Sequence, residues 1–254
     1  MPCTVEVLFT PAEFRALRER DISKSVCVVF DVLRATSTFV TALANGAEAI
    51  IPVEEISEAL DIRRRHPEVL LAGERNGFRI TAAMSGGVEF DLGNSPREYT
   101  PETARGRTVV STTTNGTRAL RACTGVDRVF VGSFLNLGAL AEAILACPPR
   151  PLLLVCAGTG EGAALEDALA AGALCERLVA FHGGLEVTDS ALIARRLFVA
   201  SRNDLAATVH AAQNARRLLA HPDLREDIEW CLQIDQFQLV PILDRSGAVT
   251  NPGP

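Results

Sequence analysis

Apolar residues in this chain occur in short unbroken runs, and between the runs they recur every three to four positions. An unbroken run bounded by turn residues predicts a strand buried on both faces. The three-to-four spacing predicts a helix with one face on a core. Read in order, positions 5–9 predict a strand, and the stretch after Pro11 a helix to about Arg20. Strands follow at 26–30, 50–53 and 69–72. Between them lie a helix carrying Phe39, Val40, Leu43 and Ala44, stopped by Asn45-Gly46, and an amphipathic helix over 54–65. The rhythm lapses over 76–105, rich in Gly, Pro, Asn and Ser with interspersed apolar residues, which predicts an ordered loop over an active site. It resumes with strands at 107–112, 127–132 and 151–156 and helices at 117–123 and 135–147. Beyond them the spacing predicts helices at 164–181, 188–200, 204–220 and 223–232, a late strand at 238–243 and a loose tail. Such alternation predicts an α/β fold, a three-layer α/β/α arrangement with a mostly parallel sheet and helices on both faces. A single domain over 1–254 is expected, with 1–105 and 106–254 as one conceivable pair of related lobes and the site between them.

Four predicted strands run straight into a polar turn that opens a helix, and these turns hold most of the candidate chemistry. Helix openings present free N–H groups and a positive dipole end, which suit anions. The first turn, Asp31-Val32-Leu33-Arg34-Ala35-Thr36-Ser37-Thr38, places a carboxylate where a hard cation such as Mg²⁺ could be held, an arginine suited to a phosphate or carboxylate, and three hydroxyls. Capping of the helix by Asp31 or Thr36 would explain part of it equally well. The second, Thr112-Thr113-Thr114-Asn115-Gly116-Thr117-Arg118, carries more hydroxyls than a connection requires and is a candidate anion cradle. The turn at Val131-Gly132-Ser133-Phe134-Leu135-Asn136 repeats the pattern. The fourth, Gly158-Thr159-Gly160-Glu161-Gly162-Ala163, loosely matches the dinucleotide fingerprint, but no strand with a terminal acid follows at the required distance, so a tight turn presenting Glu166 and Asp167 is expected instead. Gly73-Glu74-Arg75 at a strand end is either a surface ion pair or a metal ligand beside a substrate clamp. Asp91-Leu92-Gly93-Asn94-Ser95-Pro96 in the long loop reads as Asx-turn chemistry or as binding.

Composition narrows the choice. Of 254 residues, 48% are apolar and 22% charged, as in ordinary globular proteins. The net charge of −6 and an aromatic content of 5% argue against nucleic acid and acidic membranes, so an anionic ligand needs local positive groups. Seven scattered cysteines without a CxxC pair predict reduced, mostly core thiols and, with no signal peptide or spanning segment, a cytoplasmic protein. The four histidines show no metal-ligand spacing and are expected at the surface. No nucleophile elbow, Walker loop, HExxH or Cys-x5-Arg loop is present, which leaves a cation, arginines and helix openings as the chemistry at hand.

Asp-Val-Leu-Arg-Ala-Thr-Ser-Thr after an apolar strand, Gly-Glu-Arg, Phe-Asp-Leu-Gly-Asn-Ser-Pro, Thr-Thr-Thr-Asn-Gly-Thr-Arg-Ala-Leu, Val-Cys-Ala-Gly and Leu-Glu-Asp occur in one order, followed by Asp227-Ile228 and Val240-Pro241. In these the chain, from about Val26 to Ile242, strongly resembles the 2-phosphosulfolactate phosphatase family of coenzyme M biosynthesis. The resemblance implies a Mg²⁺-dependent phosphomonoesterase that converts 2-phospho-3-sulfolactate to 3-sulfolactate and phosphate. The family's motif positions fall on Asp31, Arg34, Thr36, Ser37, Thr38, Glu74, Arg75, Asp91, Asn94, Ser95, Thr112, Thr113, Thr114, Asn115, Gly116, Thr117, Arg118, Glu166 and Asp167. The stretch 78–88 is longer, and the turn 158–164 richer in Gly and Ala, than the family pattern.

From resemblance and residues together, Asp31 and Glu74 are expected to hold Mg²⁺, with Asp31, Glu166 and Asp167 catalytic. Arg34, Arg75 and Arg118 would clamp a small, highly anionic phosphate ester, with the neighbouring hydroxyls and amides around it. A homodimer is compatible with the apolar balance. Two alternatives remain at this point: a phosphatase for another small phosphorylated carboxylic acid, and a non-catalytic sensor of a phosphorylated metabolite. Acids at the strand ends count against the sensor, because they repel an anion.

Overall fold

The strand and helix alternation is present in the computed structural model, which describes residues 4–181 and 185–252. The strands are β1 (Thr4–Leu8), β2 (Val26–Phe30), β3 (Ala49–Val53), β4 (Leu70–Arg75), β5 (Phe78–Arg79), β6 (Thr108–Thr112), β7 (Arg128–Gly132), β8 (Leu152–Cys156), β9 (Glu186–Val187), β10 (Ile242–Leu243) and β11 (Val249–Thr250). The helices are α1 (Pro11–Arg15), α2 (Ala35–Ala44), α3 (Ile56–Arg65), α4 (Ala82–Ser85), α5 (Pro101–Ala104), α6 (Gly116–Ala122), α7 (Leu137–Ala146), α8 (Leu165–Phe181), α9 (Asp189–Ser201), α10 (Leu205–His210), α11 (Gln213–Leu219) and α12 (Arg225–Cys231). Cys3, His182 and the end of the tail lie outside the described residues.

The unbroken apolar run of β2 is buried throughout because it is covered on both faces. Val26, Val28 and Phe30 join the core beneath α7, α8 and α9, with Leu140, Leu169 and Leu174. Cys27 and Val29, the alternate positions, join a second core with Phe39, Val40 and Leu120 from α2 and α6. A smaller third core gathers Val53, Leu71, Val110, Ile80 and Phe90. The last two come from the long segment 76–105, which is therefore packed, as expected of an ordered loop.

All strands form one mixed, mostly parallel sheet in the order β5-β4-β6-β3-β11-β10-β7-β2-β8-β1-β9. It contains two parallel blocks, β4-β6-β3 and β7-β2-β8-β1-β9. The antiparallel hairpin β10-β11 is wedged between them, on β7 at one side and β3 at the other. The sheet does not divide at residues 105 and 106: β6 pairs with β3 and β4, whereas β1 and β2 pair with β8. The late strand predicted at 238–243 is only Ile242–Leu243, because the segment pairs through two residues before it turns back as β11. The helix predicted at 204–220 is interrupted at Ala211-Ala212, which separates α10 from α11.

Gly73 has φ +135°, and a Cβ there would stand 2.0 Å from the Thr112 carbonyl oxygen. Only glycine lets the end of β4 approach β6 this closely, and that approach carries Glu74 to the site.

Candidate active site

The β2–α2 turn is built around Asp31. Its Oδ1 accepts the Ala35 N–H at 3.2 Å, and its own N–H donates to Thr36 Oγ1 at 3.0 Å. Oδ2 faces the opening of α6 so closely that a Cβ at Gly116 would lie 2.6 Å from it. Gly116 therefore serves the approach of two strand ends, with no side chain to offer a ligand. Asp167, in the first turn of α8, accepts from Val32 N–H at 2.8 Å through Oδ1 and from Gly158 N–H at 3.1 Å through Oδ2. With both oxygens engaged it clips the turns after β2 and β8 together. Asn115 does the same between blocks: its Nδ2 donates to the carbonyls of Ala157, Gly158 and Gly160.

Glu74, at the end of β4, accepts Gly77 N–H at 2.7 Å on Oε2, and Thr114 N–H and Oγ1–H at 2.9 and 2.8 Å on Oε1. Glu166 receives Asn214 Nδ2–H at 2.7 Å on Oε1, while its buried Oε2 has no hydrogen-bond partner. Burial, with the nearby charges of Glu74 and Glu166, pushes the Asp31 carboxyl up to about 7. Burial raises Glu166 as well, and burial with the charges of Asp31 and Glu166 raises Asp167 well above the usual carboxylate range. This is crowded negative charge.

Asp31 and Glu74 line a cavity of about 350 Å³ at these strand ends, together with Asn94, Thr114, Asn115 and Arg34. Further lining comes from α11 and the segment that follows it, with Asn214, Arg217 and His221. Several sequence expectations are relocated by this geometry. Arg34 reaches the cavity, but its Nη1 donates to Asp227 at 2.6 Å and its Nη2 to the Gly77 carbonyl at 2.5 Å. Ser95 Oγ donates to the other Asp227 oxygen at 2.6 Å, so Ser95 completes a buried ion pair. Arg75 turns away to the carbonyls of Glu74, Glu54 and Thr112 and to Thr112 Oγ1, stapling β4 to β6. Arg118 is exposed on α6 and does not line the cavity.

The remaining hydroxyls mostly hold backbone. Thr36 fixes Asp31, Ser37 Oγ donates to the Val32 carbonyl and Thr38 Oγ1 to that of Asn94. Thr112 Oγ1 donates to the Glu54 carbonyl, and Thr113 and Thr117 bond each other across the first turn of α6. Asp91 pairs with Arg63 and accepts Leu71 N–H at 2.8 Å, outside the cavity. Cys156 is buried, and burial with neighbouring carboxylates raises its thiol well above the usual range, so no thiolate is presented here.

Arg217, His221, Asn214 and Gln213 escaped sequence reading. Positions 213, 214 and 217 share one face of α11, with His221 beyond its end, but a basic helix end reads as solvated surface. His221 had been expected at the surface. It is half-buried, with its ring 4.5 Å from that of Phe78.

The fold and site define a doubly covered α/β protein whose acidic strand ends floor a cavity open to a small ligand. A family model described as 2-phosphosulpholactate phosphatase matches residues 12–246, and the chain belongs to that family. A protein of Caldanaerobacter subterraneus subsp. tengcongensis is 38% identical over 238 residues, 93% of this chain and 95% of its own length. One of Thermotoga maritima is 42% identical over 216 residues, covering 85% and 88%. One of Symbiobacterium thermophilum is 36% identical over 231 residues, covering 90% and 95%. Each is named a probable 2-phosphosulfolactate phosphatase. No helix among the described residues is long and apolar enough to cross a membrane.

Proposed function

We propose that this chain is a phosphoric monoester hydrolase that splits 2-phospho-3-sulfolactate into 3-sulfolactate and phosphate with the help of Mg²⁺, as a step of coenzyme M biosynthesis in the cytoplasm. The observation that carries the reading is the cluster of Asp31 and Glu74 at converging strand ends with Glu166 from the first turn of α8, in a family of this name. Bare carboxylates would repel a phosphate ester, so a cation fits the cluster. The unpartnered buried Oε2 of Glu166 and the raised carboxyl of Asp31 both mark uncompensated acid. Among the described residues no three acidic, His or Cys side chains form a ready metal cage, and Mg²⁺ itself binds through one or two carboxylates with water and substrate phosphate. Asp31 and Glu74 would hold it. When bound, Mg²⁺ stabilises charge on the phosphate and the leaving oxygen.

In the hydrolysis, a water oxygen forms a bond to phosphorus as the ester P–O bond breaks, and the water proton finally resides on the products. Glu166 Oε2, buried beside Asp31 without a hydrogen-bond partner, would take that proton, whereas Asp167 has both oxygens on backbone amides. Asn214, which holds Glu166 Oε1 and lines the cavity, orients that carboxylate. Asn94 brings a neutral side-chain amide to the same cavity. Its N–H groups suit phosphate oxygens without adding charge, whereas the Thr114 hydroxyl and the Asn115 amide are already donated to Glu74 and to backbone carbonyls.

Phosphate release should be measured from 2-phospho-3-sulfolactate, with and without EDTA, beside phospholactate and phosphoglycolate. Fast, EDTA-sensitive release preferring the sulfonate is expected. Release only from the other esters would redirect the substrate assignment, and binding without release would favour a sensor.

A stability measurement tests the cation separately. Because the folded carboxyl of Asp31 titrates near 7, above an unfolded value near 4, the folded metal-free protein binds more protons across that window. Its stability from this group is therefore present at low pH and is lost as pH rises through about 7. Mg²⁺ should raise Tm strongly at pH 8 and little at pH 5.5, where protons occupy the cluster. Equal Tm shifts at both pH values, or none, would refute the assignment.

A further inference from the structure

The cavity has one wall whose charge is opposite to its floor. Asp31 and Glu74 line it, and so do Arg217 and His221. Of the arginines lining the cavity, Arg34 is tied to Asp227 and the Gly77 carbonyl. Arg217 is exposed to the cavity, and among the described residues no carboxylate or carbonyl pairs with its guanidinium. An arginine left without a protein partner in a concave site is a receptor for an acid group from outside, since its planar fork matches two oxygens of one acid.

The wall is also held in place before any ligand arrives. Ala215 and Leu218 sink the back of α11 into the core. Asn214 Nδ2 donates to Thr159 Oγ1 as well as to Glu166, each at 2.7 Å, tying α11 to the turn after β8. The Phe78–His221 ring contact ties the segment after α11 to β5. Leu33, Leu218 and Leu224 add apolar surface to the same cavity lining.

We propose that this α11 wall, with Arg217 at its centre and Asn214 and His221 beside it, binds the acid group of the substrate that is not hydrolysed, and so selects phosphate esters with an anionic tail. The inference rests on the phosphatase reading: the phosphate lies against Asp31 and Glu74 and the tail against Arg217. A carboxylate and a sulfonate share the recognising chemistry, because both offer paired oxygens and one negative charge.

The test compares Arg217→Gln with the wild type, with Mg²⁺, on four esters: 2-phospho-3-sulfolactate, 2-phospholactate (carboxylate tail), 2-sulfoethyl phosphate (sulfonate tail) and isopropyl phosphate (no acid). Because Arg217 is exposed, the variant should fold, which circular dichroism and a thermal melt verify. For the acid-tailed esters kcat/KM should fall about 10- to 100-fold, mainly through KM, and for isopropyl phosphate by less than about twofold. Arg217→Lys should recover part of the loss, keeping the charge without the fork. A loss confined to the carboxylate ester, or to the sulfonate ester, supports the proposal and says which acid the wall binds. No loss on any ester, or an equal loss on all four, overturns it. A wild type inert on all four esters refutes the phosphatase reading instead. In that case calorimetry with 3-sulfolactate decides, the proposal requiring binding about tenfold weaker in Arg217→Gln and failing if affinity is unchanged.

Discussion

Asp31→Asn is expected to lower phosphate release by about 10³-fold or more, the scale set by losing a charge aimed at the transition state. The change is nearly isosteric, and the amide oxygen can still accept from Ala35 N–H, so the β2–α2 turn keeps its shape. What disappears is the one carboxylate that stands among Glu74, Glu166 and Asp167 and lines the cavity. The same removal relieves repulsion, so without Mg²⁺ the variant's Tm at pH 8 should rise by about a few degrees. The pairing of the two results matters: a misfolded variant would lose both activity and stability. A near-normal turnover would eliminate Asp31 from the chemistry.

The second large effect lies behind the site. Asp227 is fully buried, held between Arg34 and Ser95, with Arg97 at 3.5 Å. Asp227→Ala leaves the Arg34 guanidinium buried beside a vacancy, and a buried charge stripped of its partner typically costs about 3–5 kcal/mol. Urea unfolding should show this as a reduced midpoint. Arg34→Met combined with Asp227→Leu should be less destabilised than the sum of the single changes, since it removes both charges. A single variant within about 0.5 kcal/mol of wild type would show that the pair contributes nothing. Because Ser95 and Asn94 ride on the same segment, Asp227→Ala should also loosen the cavity wall and reduce turnover.

The layers of the fold were legible because burial leaves a plain mark. A strand such as β2, covered on both faces, must be apolar at every position, and helices over it repeat at three to four residues. The acidic positions were legible too, because carboxylates at the ends of apolar strands have no packing role. Arginine roles were not. Arg34, Arg75 and Arg118 each follow a strand, yet one is paired inside, one staples β4 to β6 and one is exposed. Which carbonyls and carboxylates surround a guanidinium depends on tertiary contacts 21 to 193 residues away in sequence. The α11 wall was illegible for the same reason: Arg216 and Arg217 are equivalent in sequence, and only the path of the chain after Ala212 decides which one lines the cavity. The β10-β11 hairpin gave little signal because strands of two residues are too short for any periodicity.

That hairpin has a consequence for vectorial synthesis. Among the described residues it is the last paired structure along the chain, yet it sits in the middle of the sheet, between β3 and β7. As the polypeptide emerges from the ribosome, each parallel block can assemble from its own strands, but the seam between them stays open until residues 242–250 are available. The nascent chain therefore carries two unsealed sheet edges, at β3 and β7, and these are the surfaces a chaperone would need to shield. Translation must reach the hairpin before the edges are covered.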